Sequence, residues 1–313
     1  MIALVCPGQG SQTPGFLAPW LELPGLRERA EALSDAAGVD LVRHGTTSDA
    51  DTIRDTAVAQ PLIVGAGLLA LDALYADSPD TLASSAGVVA GHSVGEITAA
   101  AATGVLTLQD AMSLVSLRGR AMAEASAITP TGMSAVLGGD PAEVAAALDR
   151  HGLTPANMNG AGQVVAAGTL DQLAALAADP PAKARVVPLQ VAGAFHTVHM
   201  APAADELSAE WSDHDVSDPG VTLLSNTDGV AVATGAEFLG RLISQVRNPV
   251  RWDLCMETMT ELGVTGLVEL APAGTLVGLA KRAMKGVPTV ALKTPDDLDA
   301  ARELLAASTS AKA

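Results

Sequence analysis

The sequence predicts an α/β protein in which a small α+β unit is inserted into a larger domain built on a parallel sheet. Three observations predict it. Short, almost wholly apolar runs at residues 2–6, 87–90, 221–224 and 266–270 have the continuous hydrophobicity of strands buried on both faces, as parallel sheets require. Longer segments with apolar residues at helical spacing lie between them. From about residue 129 to about residue 193 the texture changes to a compact alternation of strands and helices, which suggests a separate unit of ferredoxin-like pattern. The large domain is therefore expected at 1–128 and 194–313, and the insertion at 129–193.

Composition bounds the function. A chain of 313 residues leaves room for about two domains, and 49% hydrophobic residues are ample for a large core. The net charge of −17, from 35 acidic against 18 basic residues, argues against a nucleic-acid partner and against an anionic membrane surface. An acidic partner must dock on a local basic patch. Cys6 and Cys255 lie too far apart for a metal motif, and two cysteines in so long a chain suggest a reducing compartment. The first residues lack the basic start and long apolar region of a signal peptide, and no uninterrupted run of about eighteen apolar residues occurs. A soluble, cytoplasmic protein without a membrane partner is expected.

In chain order, the first strand ends in Pro7-Gly8-Gln9-Gly10-Ser11-Gln12. This loop lacks the Gly-Lys-Ser/Thr of a phosphate-binding loop and the third glycine of a dinucleotide fingerprint. Its glycines instead let the backbone come close and present Gln9 at the carboxyl end of the sheet. Residues 21–57 read as a polar, helical excursion. Gln60-Pro61-Leu62-Ile63 then opens a helix with proline at an early position, and Leu62, Ala66, Leu69 and Ala73 form its packed face.

The run at 87–90 leads into Gly91-His92-Ser93-Val94-Gly95 and an alanine-rich helix. A serine at such a strand-turn-helix corner points its hydroxyl away from the sheet, and the following helix offers free N–H groups where an oxyanion could form. Ser93-Val94-Gly95-Glu96 also fits a capping box, so a nucleophile and a plain N-cap are both open here. Thr107-Leu108-Gln109-Asp110 is a second capping-box match. It starts a helix with Met112, Val115 and Met122 on one side, on which Arg118 and Arg120 stand among neutral neighbours. Arg120 reads as a surface charge.

The insertion reads as strand 133–137, helix 141–150, loop, strand 163–167, helix 170–178 and strand 184–191. The large domain resumes with Gly193-Ala194-Phe195-His196-Thr197-Val198-His199-Met200. Two histidines three residues apart raise a metal site, but no Asp, Glu or Cys nearby completes a ligand set, so no metal is expected. Helices follow at 236–246, 252–262 and 275–285. At the joint Gln245-Val246-Arg247-Asn248-Pro249 the residue before proline is pushed out of helical geometry, so carbonyls near Asn248 are free to orient a histidine. The tail from about residue 307 is expected to fray.

Taken together, Pro7-Gly8-Gln9-Gly10-Ser11-Gln12, Gln60-Pro61, Gly91-His92-Ser93-Val94-Gly95-Glu96, Arg118-Gly119-Arg120-Ala121-Met122, Asn157-Met158-Asn159, Gly193-Ala194-Phe195-His196 and Asn248-Pro249-Val250-Arg251-Trp252 resemble the malonyl-CoA:acyl-carrier-protein transacylases of fatty-acid and polyketide synthesis. The motifs run in order from about residue 4 to about residue 292. The resemblance implies an α/β-hydrolase-like large domain with a ferredoxin-like insertion. It also implies ping-pong transfer of malonyl from malonyl-CoA to the phosphopantetheine thiol of an acyl carrier protein, by a monomer with no cofactor beyond CoA as substrate carrier. By position, Ser93 would be the nucleophile and His196 its base, with Gln9 and the Val94 N–H holding the oxyanion. Arg118 would pair with the malonyl carboxylate, with Gln60, His92, Asn159 and Phe195 around the substrate and Gln245 and Asn248 steering the histidine. Ala-Phe-His is similar to the malonyl-selective type, Phe195 filling the space of an α-methyl; rejecting one methyl is worth about 1–3 kcal/mol. Ala271-Pro272-Ala273-Gly274 departs from the usual Gly-Pro-Gly of the family.

Two other classes share these features. A thioesterase on the same serine turn would have no need of a buried cation such as Arg118. A non-catalytic carrier-protein-binding module would have no need of Ser93 and His196 together. Basic clusters at Lys183 and Arg185, and at Lys281, Arg282 and Lys285, could receive an acidic carrier protein, although the second also suits a helix C-terminus.

Overall fold

The computed structural model describes residues 1–76 and 81–310. Its strands are Ile2–Cys6 (β1), Val88–Gly91 (β2), Thr131–Gly138 (β3), Thr154–Met158 (β4), Gln163–Thr169 (β5), Ala184–Pro188 (β6), Thr222–Leu224 (β7), Gly266–Glu269 (β8) and Thr289–Ala291 (β9). Five consecutive buried side chains in β1 can be accommodated only in the middle of a sheet. The first sheet, ordered β7-β2-β1-β8-β9, places β1 there, and all its pairings are parallel. Successive side chains leave opposite faces. Ile2, Leu4 and Cys6 join a core with helices Thr56–Tyr75 and Leu108–Ile128, while Ala3 and Val5 join another with helices Trp252–Glu261 and Thr275–Ala283. At about 1.5–3 kcal/mol for each fully buried large aliphatic chain, these two layers carry much of the drive to fold.

Register fixes where the loops emerge. Cys6 stands opposite Gly91, Ala90 opposite Leu224, and Val5 opposite Glu269. The segments following β1, β2, β7 and β8 therefore leave the sheet side by side at its carboxyl end, the usual place for a ligand in a parallel sheet. Glu269, itself buried, accepts the N–H groups of Gly274, Leu276 and Val277 at 2.9 Å each. That caps helix Thr275–Ala283 and presses its first turns against the loops.

Residues 131–188 build a second, antiparallel sheet ordered β4-β5-β3-β6. Helices Pro141–Arg150 and Leu170–Ala178 cover one face around Val136, Leu148 and Leu176, while Met133, Val165 and Ala167 on the other join the large core. Backbone bonds Met158 N–H to Val250 O and Val250 N–H to Ala156 O, both 2.9 Å, tie β4 to the joint before helix Trp252–Glu261.

Several expectations need correction. The stretch read as a loop after residue 150 contains β4, whose Pro155 and Asn157 mask its strand character and sit at a register shift. The strand expected over 184–191 ends at Pro188, which lacks an N–H for the ladder. Pro61 lies inside its helix, which starts at Thr56 with Asp55 accepting Ala57 N–H at 2.8 Å. The same helix is long and apolar enough by composition to cross a membrane, although polar residues interrupt it; 78% of its most apolar window is buried in the protein. The tail expected to fray from about residue 307 continues the helix Leu298–Ser310 as far as residue 310, and residues 311–313 lie outside the described residues. β9 was not anticipated.

Candidate active site

Ser93 occupies the corner between β2 and helix Gly95–Ala102 with φ +52°, a left-handed conformation that is costly for a serine. The corner is held from both sides. A Cβ on Gly91 would lie 2.1 Å from the Gly95 carbonyl carbon, and one on Gly95 would lie 2.2 Å from Cys6 O. Both positions require glycine. The Ser93 hydroxyl does not cap the helix, so the plain N-cap reading fails. It lies 2.8 Å from His196 Nε2.

His196 is also left-handed, at φ +60°, and is 3% exposed. Its Nδ1 lies 2.8 Å from the Gln245 carbonyl oxygen. That acceptor fixes the proton on Nδ1 and leaves Nε2 to accept from the Ser93 hydroxyl. Burial, with the Arg118 charge adding to it, lowers the His196 pKa to about 3, against the pull of the Gln245 carbonyl and the Asn248 backbone. The imidazole is thus neutral and able to take a proton. The principal orienting carbonyl is that of Gln245. Asn248 is exposed, and its side-chain amide turns back to Ser244 O at 2.7 Å, because the joint bonds Asn248 N–H to Gln245 O and points the side chain outward.

Arg118 comes from the middle of helix Leu108–Ile128 and is 1% exposed. Its Nη1 donates to Gln60 Oε1 at 2.6 Å, and its Nη2 to Gln245 Oε1 and Ser93 Oγ at 3.3 Å each. Among the described residues no carboxylate forms an ion pair with it. Burial lowers its pKa to about 10, with Glu96 opposing; the group stays charged at neutral pH. By contrast Arg120 is exposed and 3.8 Å from Glu206, as a surface charge should be.

A cavity of about 240 Å³ opens onto these groups, lined also by Gln9, Gln60, His92, Val94, Asn159 and Phe195. His92 Nε2 is 2.9 Å from Asn159 Oδ1, and burial lowers its pKa. The Gln9 side chain is turned aside, its Nε2 donating to Arg54 O at 3.3 Å. Its backbone N–H and that of Val94 have no protein acceptor among the described residues. The Val94 N–H, next to Ser93 in the chain, and the N–H of Gln9, which lines the same cavity, are thereby left for an oxygen that develops charge. Among the described residues no three His, Cys, Asp or Glu side chains converge as metal ligands.

Two participants went unread in the sequence. Asn226, immediately after β7, accepts Ser93 N–H on Oδ1 at 2.8 Å and donates through Nδ2 to Gly91 O at 2.7 Å. Glu96 accepts Asn226 N–H at 2.6 Å and a hydrogen from Gln245 Nε2. Burial raises the Glu96 carboxyl above the ordinary carboxylate range, with the Asn226 N–H and the Arg118 charge opposing. The position of Asn226 at the carboxyl end of a core strand was the available signal.

A serine on a strained corner, a neutral imidazole in contact with it, free N–H donors and a buried cation can together perform acyl transfer. Comparison with known proteins agrees. Residues 3–307 match the acyl transferase domain family. The chain is 56% identical over 299 residues to a malonyl CoA-acyl carrier protein transacylase of Mycobacterium tuberculosis, covering 96% of this chain and 98% of that one. It is 34% identical over 309 residues to the Escherichia coli K12 protein of the same name, with 96% and 99% covered. The crystal structure of MCAT from Mycobacterium tuberculosis superposes with a TM-score of 0.92 at 54% identity, over 97% of this chain and 99% of that chain. A malonyl-transacylase in complex with a type II PKS acyl-carrier protein gives 0.89 at 30% identity, over 96% and 99%. The chain is an acyltransferase and belongs to the acyl transferase domain family.

Proposed function

We propose that the protein transfers malonyl from malonyl-CoA to the phosphopantetheine thiol of an acyl carrier protein, by a ping-pong mechanism through a malonyl ester on Ser93. The observation that carries this is the buried Arg118, without an ion-paired acid among the described residues and 3.3 Å from Ser93 Oγ. A guanidinium is the natural receptor for a planar carboxylate. The names of the relatives support the substrate and carrier.

In the first half-reaction Ser93 Oγ attacks the thioester carbonyl as His196 Nε2 takes its proton. The tetrahedral oxyanion is held by the N–H groups of Val94 and Gln9, so Gln9 acts through its backbone. Collapse breaks the carbon–sulfur bond, and the CoA thiolate leaves with the proton from His196. The carrier-protein thiol then gives its proton to His196, attacks the ester and regenerates Ser93. Gln60 and Gln245 hold Arg118 on the malonyl carboxylate, while His92, Asn159 and Phe195 line the acyl site. Phe195, buried at the cavity wall, disfavours an α-methyl. The Gln245 carbonyl, helped by Asn248, fixes the imidazole.

The same reading assigns 1–128 and 194–313 to an α/β-hydrolase-like domain and 129–193 to a ferredoxin-like insertion. The β-α-β-β-α-β order of the insertion and its sheet order β4-β5-β3-β6 support it. The reading keeps the protein a monomer. The free, buried Cys6 and Cys255 suit the cytoplasm. No metal and no cofactor other than CoA as carrier enters the scheme.

Incubation with labelled malonyl-CoA tests the reading directly. Intact mass should show one malonyl per chain, discharged by an acyl carrier protein and absent in Ser93→Ala. Label that persists in Ser93→Ala would overturn the assignment.

A further inference from the structure

Behind the reacting groups lies a layer of polar side chains that substrate does not reach. Glu96, Asn226 and Gln245 are 1%, 0% and 2% exposed. The hydrogens of the Gln245 amide go to a Glu96 oxygen and to Asn226 Oδ1, the latter at 3.1 Å, which leaves Oε1 to accept from Arg118 Nη2 at 3.3 Å. The other Glu96 oxygen receives Asn226 N–H at 2.6 Å. A glutamine amide has nearly the same shape after a half-turn, and only its neighbours decide which end faces where. Glu96 is the deciding neighbour, because both its oxygens face N–H donors.

We infer that Glu96 is a positioning residue for malonyl transfer: by accepting from Gln245 Nε2 it turns Gln245 Oε1 onto Arg118 and holds the guanidinium where a substrate carboxylate meets it. The inference rests on the reading of Arg118 as the carboxylate receptor. Without Glu96 as acceptor, the half-turned amide would aim its NH₂ at the guanidinium. Arg118 would keep the Gln60 oxygen and the Ser93 hydroxyl but lose the second carbonyl oxygen that fixes its plane.

Glu96→Gln preserves size but leaves one oxygen for two donors, so its amide hydrogens oppose either those of Gln245 or the Asn226 N–H. In the full chain, assayed with malonyl-CoA and acetyl-CoA, it should lower the malonyl-to-acetyl ratio of kcat/KM about tenfold or more, the scale of a lost hydrogen bond to a charged group. The KM for malonyl-CoA should rise. Gln245→Met removes the amide while keeping the backbone carbonyl for His196, and should produce the same change in selectivity. It decides the matter if Glu96→Gln fails to fold by circular dichroism. The double variant should be no more impaired than the worse single one, because both act through one contact. Equal losses for the two acyl groups, or additive losses in the double variant, would overturn the inference. Arg118→Ala in the same assay separates the two readings: an unchanged ratio there removes the carboxylate receptor itself.

Discussion

At the scale of single residues, the site is governed by two buried groups whose charges oppose each other. His196 is buried beside Arg118, so burial first, and then the cost of a second cation next to the first, lower its pKa to about 3. A group held neutral by the fold keeps its base function as pH falls, until its own pKa is reached. Acyl loading of Ser93 should therefore persist below pH 6.5, where an ordinary imidazole is protonated. Stopped-flow loading between pH 8 and 5 measures this, and an acid limb centred near 6.5 would contradict it. Arg118→Ala removes the neighbouring cation and should move the acid limb upward. The same substitution should cut malonyl transfer by a factor of hundreds or more, since losing one partner of a desolvated charge pair costs about 3–5 kcal/mol. Acetyl, which has no carboxylate to pair, should lose far less, so comparative kinetics with the two CoA esters show whether Arg118 reads the acyl group or only fills space.

At the scale of elements, the corner between β2 and helix Gly95–Ala102 is where folding and chemistry meet. Gly95→Ala sets a methyl against Cys6 O, and Cys6 cannot retreat without disturbing the β1–β2 ladder. It should destabilise by at least the ~1–3 kcal/mol of ordinary overpacking. Gly278→Ala, in helix Thr275–Ala283 with nothing within 4 Å of the added methyl, should instead gain ~0.5–1 kcal/mol from helix propensity. Thermal unfolding of the two variants checks the opposite signs. The same contrast explains what was legible in the sequence. Core strands, the helices at 141–150 and 170–178, and the motif residues announce themselves through apolar runs, caps and glycines. β4 does not, because Pro155 and Asn157 are tolerated only at a register shift beside Val250. Gln60, Arg118, Ser93, His196 and Gln245 converge as the motifs implied. Asn226 and the bonding of Glu96 were hidden, since their partners lie 130 positions apart in the chain and meet only through sheet register.

At the scale of the whole molecule, a chain of net charge −17 must, on the proposed function, still meet acyl carrier proteins, which the resemblance to the family leads one to expect to be acidic. Average repulsion slows such encounters, and a local basic surface at the cavity mouth can reverse the effect. Of the two clusters read from the sequence, one is joined to the lining of the cavity. Lys281, Arg282 and Lys285 are exposed at the end of helix Thr275–Ala283, and Arg282 Nη2 donates to Gln163 Oε1 at 3.0 Å. Gln163 and Leu279 of the same helix line the cavity. Lys183 and Arg185 are exposed beside and on β6, at the free edge of the second sheet, and line no part of it. Lys281→Glu with Lys285→Glu should therefore raise the KM for an acyl carrier protein more than Lys183→Glu with Arg185→Glu does. Loading of Ser93 from malonyl-CoA should change less, because the rim charges touch no reacting group. Added salt should weaken carrier-protein use by the parent and narrow its difference from the variant, as the Debye length shrinks from about 10 Å at 0.1 M to about 3 Å at 1 M. If carrier-protein kinetics at low salt are the same in the parent and the Lys281/Lys285 variant, those charges serve only to complement the C-terminus of their helix.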